Sequence, residues 1–165
     1  MIAASSGGRT STPCCVAPAC ACGPSTSEWR FVLDTNIINQ IVRRNAPALA
    51  RLREAADHDD DLFMCPVVFY ELWRGLSYRG ADRQLEDLNA FVRTLQWVDY
   101  DRTMWVEAAG LWADRRRHGR SHDDADLLIA TFARRFRATL VTNNTADFTD
   151  LEVPIVDWTA DQPGG

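Results

Sequence analysis

Apolar residues along positions 29–158 fall into two spacings: short unbroken runs, and longer stretches in which they recur at every third or fourth position. A short run bounded by turn residues reads as a strand buried on both faces, and the longer spacing reads as a helix with one face on a core. The first run, Arg30-Phe31-Val32-Leu33-Asp34, predicts a strand, followed by a helix capped by Thr35 or Asn36 whose inner face is Ile37, Ile38, Ile41 and Val42. Pro47 opens a second helix that ends in the acidic run 57–61. A second strand over 62–65 meets Pro66 at the first position of a third helix, which carries Glu71 and stops near Gly75. Leu85, Leu88, Val92 and Leu95 space a fourth helix, and residues 98–100 a third strand. Met104, Trp105, Ala108, Leu111 and Trp112 stripe a fifth helix that His118-Gly119 ends. A sixth helix over 124–136, a strand over 139–142 and a short strand over 154–156 complete the pattern. Strands alternating with helices predict an α/β fold around a mainly parallel sheet.

Composition narrows this picture. The chain has 165 residues, enough for one core of ordinary domain size. Residues 1–27 contain no aromatic residue, and 19 of the 27 are Ala, Ser, Gly, Thr or Pro, so they predict a disordered extension that cannot offset its ordering entropy. Cys14, Cys15, Cys20 and Cys22 lie there without the paired spacing or nearby His of a zinc site. Pro13, Pro18 and Pro24 break the segment, which argues against a secretory leader. Residues 159–165 read as a flexible tail. No stretch reaches the roughly 20 apolar residues of a membrane span, so a cytoplasmic protein with no membrane partner is expected.

The formal charge of −5 argues against bulk electrostatic capture of nucleic acid. All 18 basic residues are Arg and none is Lys, which leaves guanidinium groups as the only strong cations for phosphate or carboxylate. The densest group, Arg115, Arg116, Arg117 and Arg120, is a candidate grip for an RNA backbone, with a solvated helix face as the alternative. His58, His118 and His122 read as loop residues. Phosphate-loop, dinucleotide-binding and GxSxG patterns are absent from the sequence.

Three acids stand out by position. Asp34 lies at the carboxyl end of the first strand, where open α/β sheets place their reactive groups, although it could equally cap the helix that follows. Glu71 projects mid-helix from an apolar face, with Gly75 as a small neighbour one turn on, and Arg74 or Arg79 could pair with it. Asp123, Asp124 and Asp126 crowd the start of the sixth helix; at 100° per residue Asp126 is the one turned toward the core. Carboxylates gathered from separated segments, with no Lys to neutralise them, point to a site for a hard divalent cation.

These residues sit in four motifs: FVLDTNIIN at 31–39, FYELWRG at 69–75, DADLLIAT at 124–131 and TLVTNNTADF at 139–148. In this order and spacing the chain resembles a PIN domain, specifically the VapC-type toxin ribonucleases of toxin–antitoxin pairs, over nearly all of residues 30–158. The resemblance implies a three-layer α/β/α fold, an acidic Mg²⁺ or Mn²⁺ site, cleavage of RNA, homodimerisation and neutralisation by a small cognate antitoxin. It matches Asp34, Glu71 and Asp126 to the family's catalytic, metal-binding acids. Thr35 and Thr142 are then candidates to hydrogen-bond those ligands. Where the family often has a fourth acid this sequence has Asn144, with Asp147 three residues further on as the alternative ligand. Phe148, if anchored in the core, would point Asp147 away from the site. Phe69, Trp73 and Tyr78 are candidates to receive the antitoxin, or to be core. The competing expectation is an inactive PIN-like module that binds protein or RNA without turnover.

Overall fold

The computed structural model describes residues 29–160. The expected N-terminal extension, its four cysteines and residues 161–165 of the expected tail lie outside the described residues. Thr159 is described, and its N–H and hydroxyl both bond to the Asp157 carboxylate.

Five parallel strands form one sheet in the order β3-β2-β1-β4-β5. These are β1 (Arg30–Leu33), β2 (Asp61–Met64), β3 (Gln96–Trp97), β4 (Thr139–Val141) and β5 (Ile155–Val156). Consecutive residues of a strand point to opposite faces, and Val32 and Leu33 on β1 are both fully buried, as are Leu140 and Val141 on β4. The sheet centre is therefore covered on both sides, which requires helices as crossovers on each face. They are α1 (Thr35–Val42), α2 (Ala46–Asp57), α3 (Pro66–Tyr78), α4 (Asp82–Val92), α5 (Arg102–Arg117), α6 (Asp124–Phe136) and α7 (Thr145–Phe148). Strand order reverses between β1 and β4, and in such sheets the crevice at the carboxyl ends of the strands flanking that switch is where ligands bind.

The α6 helix is the buried spine: Leu127, Ile129, Ala130, Thr131, Phe132 and Ala133 are all inside. Phe132 packs at a tilt 4.7 Å from Phe136 and 5.5 Å from Tyr100, ring centre to ring centre. Thr131 satisfies its buried hydroxyl by donating to the Leu127 carbonyl one turn back.

Several sequence expectations are corrected. Asp34, not Thr35 or Asn36, caps α1. The third helix does not stop near Gly75 but runs to Tyr78, because Leu76 still has a core to enter. A Cβ built on Gly75 would meet nothing within 4 Å, so close approach does not explain that glycine. The third strand is Gln96–Trp97 rather than 98–100, since only those residues find partners, in Phe63 and Met64. Leu95 is buried in the turn after α4 rather than on the helix. Val42, Trp105 and Trp112, expected on inner faces, are exposed. The four-residue α7 has no counterpart in the apolar pattern.

Candidate active site

Asp34 stands where β1 ends at the switch point. Its backbone N–H is held by the Val141 carbonyl of β4 at 3.0 Å, so the sheet itself fixes the residue. One carboxylate oxygen accepts the Thr35 N–H at 2.6 Å, and the other accepts from the Asn36 amide and from the Thr142 hydroxyl, both at 2.8 Å. Thr142, fully buried beyond the end of β4, also accepts at its hydroxyl from the Asn36 amide and the Asn144 N–H. Burial pushes the Asp34 carboxyl up and so does the Glu71 charge; the bonds from Thr142, Thr35 and Asn36 oppose this without cancelling it.

Glu71 reaches this group from α3, where Thr35 donates to it at 2.7 Å. Its other oxygen lies 3.6 Å from the Arg74 guanidinium, which also rests over the Tyr70 ring at 5.1 Å. Asp126, in the first turn of α6, is half-buried. Burial, and then the charges of Asp147, Asp123, Asp34 and Glu71, push its carboxyl from 3.8 up to about 6. Five acids from four segments thus act on one volume. Among the described residues, no three His, Cys, Asp or Glu side chains are drawn in closely enough to hold a metal ion as they stand. The donors are nevertheless all oxygens, the chemistry a hard divalent cation takes, and their mutual repulsion is what such a cation would relieve.

The remaining sequence candidates divide. Thr35 and Thr142 are at the site, bonded to Glu71 and Asp34. Asn144 turns its amide onto Asp147, to which it donates a hydrogen bond. Phe148 is in the core as expected and Asp147 beside it is exposed, and the Asp147 charge is the largest of those that raise the Asp126 carboxyl. Arg115 and Arg120 are engaged with Asp150, Arg116 lies over the Trp112 ring, and Arg117 is exposed. Asn36 was missed, although its place two residues after a strand-end Asp was the available signal. Beside Glu71 opens a groove of about 520 Å³ whose walls include Tyr70, Arg74, Tyr100, Trp105 and Asp124. Phe69 and Trp73 are half-buried against each other, leaving Tyr78 exposed.

A family comparison matches residues 31–153 to the PIN domain. The chain belongs to the PIN domain family. Among curated PIN relatives, it is 31% identical over 120 residues to the tRNA(fMet)-specific endonuclease VapC of Shigella flexneri, covering 72% of this chain and 89% of that one. It is 30% identical over 137 residues to ribonuclease VapC1 of Haemophilus influenzae strain R2866, covering 78% and 98%. Among solved structures, the DNA-bound VapBC of Salmonella typhimurium superposes with a TM-score of 0.70 at 25% identity, over 79% of this chain and 98% of that one. VapBC2 of Rickettsia felis, bound to a promoter DNA fragment, shares the fold with a TM-score of 0.71 at 24% identity, over 78% and 98%. The three-layer PIN architecture expected from the motifs is the one found.

Proposed function

We propose that this PIN domain is a metal-dependent endoribonuclease and the toxin of a toxin–antitoxin pair. The observation that carries the reading is that the charges of Asp34, Glu71 and Asp147 all act on the half-buried Asp126, in a chain similar to VapC ribonucleases. Asp34, Glu71 and Asp126 would hold one or two Mg²⁺ or Mn²⁺ ions, with Asp147 or Asn144 as the further oxygen donor. A bound divalent cation supplies a water of lowered pKa and charge neutralisation at a phosphodiester. The chain's own contribution is orientation: Asn36 and Thr142 fix the Asp34 carboxylate, and Thr35 fixes Glu71. Arg116 and Arg117 are the members of the α5 arginine group left to contact an RNA backbone.

The similarity to the VapBC complexes supports a small antitoxin as partner. The groove beside Glu71, walled by aromatic rings and acids, suits a segment that carries apolar side chains and an arginine. A homodimer and a cytoplasmic site of action belong to the same reading; no helix among the described residues is long and apolar enough to cross a membrane. The Arg74–Glu71 pair favours a second reading, in which the acids only dock guanidinium groups and no cleavage occurs.

RNA incubated with the purified chain separates the two. The nuclease reading expects fragments with Mg²⁺ or Mn²⁺, none with chelator, and loss of cleavage by at least about a hundredfold in Asp34→Asn and Asp126→Asn. Intact RNA at every metal concentration would leave the binding module.

A further inference from the structure

Beyond the acidic crevice, one carboxylate gathers two arginines and a histidine. Asp150, in the connection after α7, accepts a hydrogen bond from Arg120, lies 3.7 Å from Arg115 and 3.2 Å from Nε2 of His122. Exposed ion pairs contribute little to stability, and Arg120 is half exposed, but Arg115 and His122 are sheltered, at 14% and 10% exposed. Burial acts to raise the Asp150 carboxyl, yet the Arg120 bond and the charges of His122, Arg120 and Arg115 hold it below the ordinary carboxylate range. Among the described residues the buried Arg115 Nε has no hydrogen-bond partner and Asp150 is the carboxylate its guanidinium pairs with.

The location of the cluster gives it a task. Arg115 lies in the last turn of α5, and Arg120 and His122 lie in the loop that runs directly into Asp123 and α6. Asp150 follows α7, which carries Asp147. The network therefore ties the segment entering α6, which carries Asp126, to the segment following α7, which carries Asp147, whose charge acts on Asp126.

We propose that Asp150 is a positioning residue: by binding Arg115, Arg120 and His122 it clamps the entry of α6 against the α7 connection and so fixes where Asp126 and Asp147 stand relative to one another. Two arginines that the sequence offered as an RNA grip then serve the metal site from behind. This rests on the metal-dependent reading above.

The test measures Mn²⁺ binding directly, by calorimetry on the full chain without RNA. Asp150→Asn is expected to weaken Mn²⁺ binding about tenfold, the lower end of what loss of a ligand-orienting partner costs, and Asp150→Glu to recover part of it. Arg120→Gln, at the exposed rim of the cluster, is the milder variant should Asp150→Asn not fold, with about threefold weakening expected. Wild-type Mn²⁺ affinity in these variants, with only a lowered melting temperature, would overturn the clamp and leave the nuclease reading standing. A wild-type chain that binds no Mn²⁺ would overturn the metal site itself.

Discussion

Asp126 shows how strongly a neighbourhood can alter one side chain. A carboxyl at about 6 rather than 3.8 is half protonated at about pH 6, and a protonated carboxyl does not bind a hard cation. Mn²⁺ affinity should therefore climb as pH rises through about 6 and fall away below it, which binding measured from pH 5 to 8 would display. The sign for stability is opposite. Between 3.8 and about 6 the folded chain holds this proton more tightly than the unfolded chain, so metal-free stability declines as pH rises through that window and stays lower above it. Asp126→Asn removes the charge, and without divalent cation it should melt at a higher temperature than wild type at pH 7 to 8, the difference closing below pH 4. A variant that melts lower at pH 7 would contradict the crowding of acids described here. Asp34 shifts in the same direction for the same leading cause, burial, and its three hydrogen bonds restrain it.

At the scale of elements, the shortest helix matters more to the site than its length suggests. Four residues cannot sustain a helix by themselves, and α7 is pinned by Phe148, which is 1% exposed. That anchor leaves Asp147 on the side that acts on Asp126, with the Asn144 amide bound to it. Asp147→Asn should therefore weaken Mn²⁺ binding several-fold while lowering the Asp126 pKa, because the same charge that repels Asp126 attracts a cation. NMR titration of Asp126 and calorimetry on the one variant check both halves; an unchanged Mn²⁺ affinity would return Asp147 to the bystander role that its sequence position suggested. The α3 helix teaches a related point. A glycine inside it at Gly75 looked like a stop and a close contact, but the helix continues and the space beside that glycine is open. Burial of Leu76 decided the matter.

Across the whole molecule, exposed apolar surface is concentrated on α3 and α5: Tyr70, Tyr78, Trp105, Val106 and Trp112 are all well exposed. Patches of this kind on a chain of this size mark contact with other chains. Co-expression with the product of a short neighbouring reading frame should yield a stable complex in which RNA cleavage is suppressed, and Trp105→Ala should weaken that complex, read by co-purification and gel filtration. Equal recovery of the complex with Trp105→Ala would move the contact away from the groove beside Glu71.

The alternation of strand and helix patterns, the α/β class, the strand-end Asp34 and the inward turn of Asp126 all follow from periodicity and from where a charge falls on it, because those are local properties of a chain. The place of Asn36 under the Asp34 carboxylate is local too, two residues along the chain, whereas the effect of Asp147 on Asp126 is not. The same holds for Arg115 and Arg120: a run of arginines reads as a surface for phosphate until folding brings Asp150, thirty residues beyond Arg120, against it. Spacing along the sequence reports which face of an element a residue occupies, whereas hydrogen bonds and charge interactions depend on distance in space. For residues joined only across the switch of a parallel sheet, that distance is set by the packing of the entire domain.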